Sequence, residues 1–216
     1  MKVLGVSGSP VKNSNTDRAL KIVLEATCMK NEFIKLSDYT FGSCDACLGC
    51  ITTNKCIKKD DGVMLAEKTY KADALIIAGF TPYSSLDSRT KTYIERLYPL
   101  RHRNGLMAGK PGGAIVASAI SPGQEQMPSA AEIGIDAIKH YMMEERMNFF
   151  GGVSLLGNFS CIRCGDDGQC QMSGVKMIHG KDATLESVGI SDFENDSDKV
   201  AELKKLGEAI GDSFFQ

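Results

Sequence analysis

Short apolar runs alternate with amphipathic stretches along this chain. Val3 to Val6 reads as a buried strand, and Ala74 to Ala78 and Gly113 to Ala119 as central strands buried on both faces. Glu32 to Leu36 and Val153 to Leu156 are two shorter strand runs. Between them the apolar positions recur at helical spacing. Ala19, Leu20, Ile22, Val23 and Leu24 give one face of a helix that Asn15 or Thr16 can cap and that runs to about Cys28. Further helices are expected over about Gly62 to Tyr70, Ser88 to Leu97, Ser129 to Met147 and Ser197 to Phe214. Five strands alternating with helices predict an α/β fold with a parallel sheet covered on both faces. Right-handed crossovers make the sheet doubly wound, with ligands beyond the carboxyl ends of its strands. Three loops then share one edge: Ser7 to Thr16, Thr81 to Ser88 and Ser118 to Gln126.

Composition narrows the class. The 216 residues suit one large domain, and 43% hydrophobic with 24% charged residues is ordinary for a globular protein. A net charge of −2 gives no basis for a nucleic-acid surface. No apolar run has the length that spans a bilayer, and the chain opens on Lys2-Val3-Leu4-Gly5-Val6 without signal-peptide architecture, so a cytoplasmic location is expected. Eight cysteines in a reducing compartment point away from structural disulfides. They are also clustered, which points to metal or redox chemistry.

The first loop reads Ser7-Gly8-Ser9-Pro10-Val11-Lys12-Asn13-Ser14-Asn15-Thr16. It joins a buried strand to a helix N-terminus, where free N–H groups and the helix dipole favour an anion. Ser7, Ser9, Ser14 and Thr16 add hydroxyls, and Lys12 is its one cation. Such a cradle suits a single terminal phosphate like that of FMN. Ordinary helix capping reads similarly on these residues alone. The dinucleotide and Walker glycine patterns are absent.

Cys44-x2-Cys47-x2-Cys50-x5-Cys56 is the sharpest signal. Four thiolates in so short a span can wrap a 4Fe–4S cubane. Ala46 and Gly49 give room for the backbone to fold round it, and Lys55, Lys58 and Lys59 can offset its charge. Zinc is the competing occupant, although structural zinc sites usually separate two ligand pairs by a longer stretch.

The string Gly8-Ser9-Pro10…Ser14-Asn15-Thr16 resembles the phosphate loop of the NADPH-dependent FMN reductase family and of its iron–sulfur flavoprotein branch. The resemblance runs through about Gly157. Thr81-Pro82-Tyr83 with Lys91…Glu95-Arg96 is similar to the family's second loop, in a shorter form. Pro122-Gly123-Gln124-Glu125 partly matches its third, a Gly-Gly-Gln-Glu string. The resemblance implies a flavodoxin-like sheet of order 2-1-3-4-5, with FMN phosphate on Ser7, Ser9, Lys12, Ser14, Asn15 and Thr16. Thr81, Pro82, Tyr83 and Ser84 would line the isoalloxazine and ribityl chain, with Ser118 and Ala119 opposite. The compact cysteine motif stands where the iron–sulfur branch carries its cluster, close to a flavin and often across a subunit interface. An FMN-dependent oxidoreductase follows, in which a 4Fe–4S cluster passes electrons to the flavin and on to a small acceptor, dioxygen or peroxide among them. The implied donor is ferredoxin, and the implied assembly a homodimer or homotetramer. Two other readings stay open: hydride transfer from NAD(P)H to FMN and then to a quinone or nitro compound, and a non-enzymatic electron carrier or redox sensor.

Other residues say less. Residues 41–60 form a cysteine-rich insertion and residues 158–216 a C-terminal extension of the single domain, 1–216. Cys161, Cys164 and Cys170 in the extension suit an incomplete cluster site, a zinc site completed by His179, a redox pair or plain thiols. Cys28 is expected to be buried on an apolar helix face, and Met142, Met143 and Met147 to pack a helix face or interface. Arg101-His102-Arg103 is a basic turn, and Asp192 to Asp198 an acidic turn without apparent chemistry.

Overall fold

A computed structural model describes residues 1–120, 129–165 and 169–215. Its sheet holds five parallel strands, β1 (Lys2–Ser7), β2 (Lys30–Lys35), β3 (Ala74–Phe80), β4 (Pro111–Ser118) and β5 (Asn148–Leu156), in the order β2-β1-β3-β4-β5. This is the flavodoxin-like order expected from the sequence. The helices are α1 (Asn15–Ala26), α2 (Asp61–Lys71), α3 (Ser88–Arg96), α4 (Ala130–Glu144), three short ones, α5 (Cys161–Cys164), α6 (Gly174–His179) and α7 (Leu185–Val188), and α8 (Ser197–Asp212).

Alternate residues of each central strand feed opposite faces, which is why these strands read as unbroken apolar runs. Leu4, Val6, Leu75, Ile77 and Val116 pack with Leu65 of α2, Tyr93 and Ile94 of α3, and Ile138 and Met142 of α4. Val3, Ile76, Ala78 and Ile115 pack with Leu20, Val23 and Leu24 of α1 and with Leu203, Leu206 and Ile210 of α8. The last helix of the extension is therefore half of the cover on one sheet face.

Several boundaries differ from the sequence reading for local reasons. Ser14, not Asn15 or Thr16, caps α1: its side chain accepts from Asp17 N, and the Asp17 carboxylate accepts from Ser14 N, a reciprocal capping box. Cys28 is not buried packing. Helix α1 ends at Ala26, and Cys28 follows as an exposed residue in the left-handed region at φ +53°. The helix expected to reach Met147 stops at Glu144, and Arg146 at φ +58° turns the chain into β5. Of the three methionines there, Met142 and Met147 are buried and Met143 is exposed.

Candidate functional site

Loop 7–16 crosses from β1 to α1 at the carboxyl edge of the sheet. Gly8 N donates to Ala78 O of β3 at 2.8 Å. Gly8 has to be glycine: a Cβ there would stand 1.8 Å from Thr90 Oγ1 and 2.9 Å from both Asp87 carboxylate oxygens. Asp87 caps α3 and also accepts from Phe80 N, so the first two loops are fastened to each other. Ser7 Oγ donates to Asp17 Oδ1 at 2.6 Å, and Lys35 Nζ pairs with Asp17 Oδ2 at 2.5 Å while donating to Val11 O. Lys35 thus offsets the buried Asp17 carboxylate beneath the loop. Sequence reasoning missed Asp17 and Lys35; the Asp three residues after Ser14 was the available signal.

The amides of Asn15 and Thr16, the first two of α1, have no acceptor among the described residues, the ordinary condition of a helix N-terminus. Ser9 is buried and its Oγ accepts from Val11 N, while Lys12 is exposed. The Asn15 side chain is turned elsewhere. Its Nδ2 donates to Leu156 O and Ser191 O, tying the loop to β5 and the extension. Arg18 completes this tie. It donates to Asn13 O and Asn15 Oδ1 on one side, and pairs with Asp192 at 2.7 Å and Glu194 at 2.5 Å on the other. The acidic turn that carried no chemistry in the sequence is an anchor.

Thr81 N donates to Ala117 O, joining the start of the second loop to the end of β4. Tyr83 and Ser84 both lie at positive φ, +51° and +57°, which is uncommon for a bulky residue. Tyr83 is wholly exposed, so it does not merely cover the sheet end; Pro82 is exposed and Ser84 half-buried beside it. Ser118 is buried, its Oγ accepting from Ile120 N and its carbonyl from Gly157 N; Ala119 is half-buried. Pro122-Gly123-Gln124-Glu125 and the rest of loop 118–126 beyond Ile120 lie outside the described residues. An opening of about 890 Å³ flanks this edge between Ile120, Leu156, Ser191 and Phe193.

Cys44, Cys47, Cys50 and Cys56 all line one cavity of about 370 Å³, open mouth included. Ala46 and Leu48 take positive φ, +50° and +58°, to wrap the loop, and Gly49 lies against Ile57, where a Cβ would come within 2.7 Å. Burial pushes the Cys50 thiol up, and the neighbouring Cys56, Cys44 and Cys47 push the same way. Arg96 reaches in from the end of α3. Its guanidinium grips Asp60 through two 2.7 Å bonds, donates to Gly42 O at 2.8 Å, and stands 3.5 Å from Cys56 Sγ. Lys58 pairs with Asp45, and Asn54 Nδ2 donates to Pro99 O and His102 O. Among the described residues no three His, Cys, Asp or Glu side chains converge as they would on a single metal ion, although all four cysteines are among the residues that line the cavity.

The sequence model of the NADPH-dependent FMN reductase family matches residues 1–145. The chain belongs to this family. Like the family, it is an FMN-dependent oxidoreductase. An iron-sulfur flavoprotein of Methanocaldococcus jannaschii is 28% identical over 209 residues, covering 95% of this chain and 98% of that one. An iron-sulfur flavoprotein of Archaeoglobus fulgidus is 33% identical over 122 residues, 55% of each chain; the match spans about half that relative's length. Among solved structures, an FMN-dependent NADH-azoreductase from Bacillus anthracis, in complex with FMN, aligns with a TM-score of 0.62 at 12% identity over 98% of this chain and all of that one. A flavodoxin from the domain Archaea aligns with a TM-score of 0.54 at 13% identity over the whole of both chains. At these identities both speak to the fold alone. The family match ends before the second cysteine group, where Cys161 and Cys170 are half-buried and Cys164 is exposed. No helix among the described residues is long and apolar enough to cross a membrane.

Proposed function

We propose that this oxidoreductase holds FMN across loops 7–16, 81–88 and 118–126 and a 4Fe–4S cluster on Cys44, Cys47, Cys50 and Cys56, with electrons passing from cluster to flavin to a small acceptor. The observation that carries the reading is that Cys44, Cys47, Cys50 and Cys56 all line one cavity. The donor set fits the group: four cysteines at such short spacing, all lining one cavity, suit a polynuclear cluster better than one zinc ion. The flavin side fits as well. Free amides at Asn15 and Thr16, with the hydroxyls of Ser9, Ser14 and Thr16 nearby, offer a phosphate cradle, while Ser7, its proton given to Asp17, supports the loop from below. Lys12, exposed beside it, adds a cation. Thr81, Pro82, Tyr83 and Ser84 form one wall, Ser118 and Ala119 the other.

Together the two groups let one-electron transfer meet two-electron chemistry. The chain's own residues position and shield. Lys35 keeps Asp17 from repelling a phosphate, Tyr83 presents an open ring face, and Arg96 offsets thiolate charge at Cys56. The two sites stand at opposite ends of α3, about 13 Å of helix apart. The names of the iron-sulfur relatives support the cluster; a ferredoxin-type carrier is the proposed donor and NAD(P)H the competing one. We also assign the chain to a homodimer or homotetramer in the cytoplasm.

Anaerobically purified protein should carry one FMN and about four iron atoms with matching acid-labile sulfide. One zinc and no sulfide would sink the cluster. Reduction of the flavin by reduced ferredoxin but slowly by NADPH supports the proposed donor; the reverse selects direct hydride transfer. Absence of turnover with every small acceptor would leave an electron carrier.

A further inference from the structure

Cys161 and Cys164 belong neither to the loops proposed for FMN nor to the four-cysteine cavity. They stand one turn apart on α5, with Cys164 N donating to Ser160 O at 3.1 Å and Gly165 N to Cys161 O at 2.9 Å. Residues three apart on such a turn hold their Cβ atoms about 5–6 Å apart. A disulfide needs about 3.5–4.5 Å between Cβ atoms, so closure asks for a shift on the order of 1–2 Å. Little resists it: α5 is four residues long, and Gly165, at φ +75°, reverses the chain directly behind Cys164.

The two thiols differ in access. Cys164 is exposed and Cys161 half-buried. A Cβ added at Gly174 would stand 3.8 Å from Cys161 Sγ and 3.0 Å from the Phe159 ring, which in turn meets the His179 ring edge-on at 5.8 Å. An open thiol beside a shielded one is the order that thiol–disulfide exchange uses, the first attacking and the second resolving. Their place matters too. Gly157 N donates to Ser118 O at 2.7 Å and Leu156 O accepts from Asn15, both on the edge where the three loops meet. Cys161 is four residues further, within about 14 Å of Gly157.

The geometry points to Cys161 and Cys164 as a dithiol that reduces small-molecule disulfides at this edge. The Cys164 thiolate attacks one sulfur of the substrate. The substrate S–S bond breaks, one substrate thiol leaves with the Cys164 proton, and a mixed disulfide forms. Cys161 Sγ then attacks Cys164 Sγ, giving its proton to the second substrate thiol as it leaves. Two electrons and two protons have moved from the cysteines to the substrate. Two electrons and two protons from reduced FMN reopen the Cys161–Cys164 bond, the one step that rests on the flavin reading above.

The test uses FMN- and iron-loaded protein whose thiols are reduced and whose flavin is left oxidised, with one equivalent of oxidised glutathione under anaerobic conditions, followed by alkylation and peptide mass mapping. A Cys161–Cys164 disulfide is expected in the wild type. Cys161→Ser should trap glutathione on Cys164, and Cys164→Ser should leave Cys161 at least tenfold less modified than that. Exposed Cys28 is the internal control. Equal labelling of Cys28 and Cys164, a disulfide through Cys170, or a zinc ion lost from both variants overturns the site. In anaerobic photoreduction of the oxidised protein, the wild type should take up two more electrons per chain than Cys161→Ser before its flavin stays reduced. A mapped disulfide without those electrons overturns the supply from flavin. Wild-type protein without FMN overturns the flavin reading itself, and mapping, which needs no FMN, tells the two failures apart.

Discussion

At Arg96 a side chain only 2% exposed leaves α3 and binds Asp60, Gly42 O and Cys56 at once. Gly62 makes room for it, since a Cβ there would lie 2.7 Å from Arg96 Cζ. A planar fork can bond both Asp60 oxygens and still reach a carbonyl and a thiol, which an ammonium cannot. Arg96→Lys should cost on the order of 2 kcal/mol in chemical denaturation and lower bound iron several-fold. Asp60 carries a pH signature of the same pair. Arg96 holds its carboxyl at about 2 against an ordinary 3.8. A folded-state value below the unfolded one adds stability that is fully present above about pH 4 and lost as pH falls through about 2. The difference corresponds to about 2 kcal/mol, and Asp60→Asn should remove that limb of the acid-unfolding curve. In the sequence Arg96 stood out only as the end of a loop motif. Its reach to Cys56, forty residues away, is a tertiary fact that no spacing displays.

Among the elements, those buried on two faces were the most readable. The runs 3–6, 74–78 and 113–119 became β1, β3 and β4 because a strand between two helical layers has no polar side to confuse the pattern. β5 begins at Asn148, five residues before the expected Val153, because at the sheet edge Phe149 is half-buried, Phe150 is exposed and Gly151-Gly152 follow, so no run of buried apolar residues marks its start. The short α5, α6 and α7 left no periodic trace; helices of four to six residues are fixed by caps such as Ser173 and Thr184. The cysteine motif was legible as chemistry, but its fold rests on Arg96, Asp60, Asn54 and the positive φ of Ala46 and Leu48. Loop 41–60 and loop 7–16 are built on different elements, so their occupants should separate. Cys47→Ser should abolish the cluster's visible absorption while FMN stays bound at one per chain. Loss of both together would mean that the two sites are one folding unit.

At the scale of the whole molecule, the extension is bound into the proposed phosphate site. Arg18 spans from Asn13 O and Asn15 to Asp192 and Glu194, and Asn15 spans from loop 7–16 to Leu156 and Ser191. Both partners of the ion pairs are partly exposed, so the pairs themselves contribute little, about 0.2–1 kcal/mol. Their weight lies in geometry: they hold the start of α1, where the free amides of Asn15 and Thr16 stand, against the end of the chain that carries α8. A ligand that binds only the folded state stabilises it by about 2.7 kcal/mol at a hundred times its dissociation constant. FMN should therefore raise the unfolding midpoint of the wild type at fixed protein concentration. Arg18→Ala should lose only a few tenths of a kcal/mol without FMN, because exposed pairs are weak. With FMN present it should show a clearly smaller upward shift, matching an affinity reduced about tenfold, or ~1.4 kcal/mol. Thermal scans of both proteins across an FMN series separate the two effects. Equal shifts in the two proteins would mean that the extension only covers the sheet and has no part in shaping the phosphate loop.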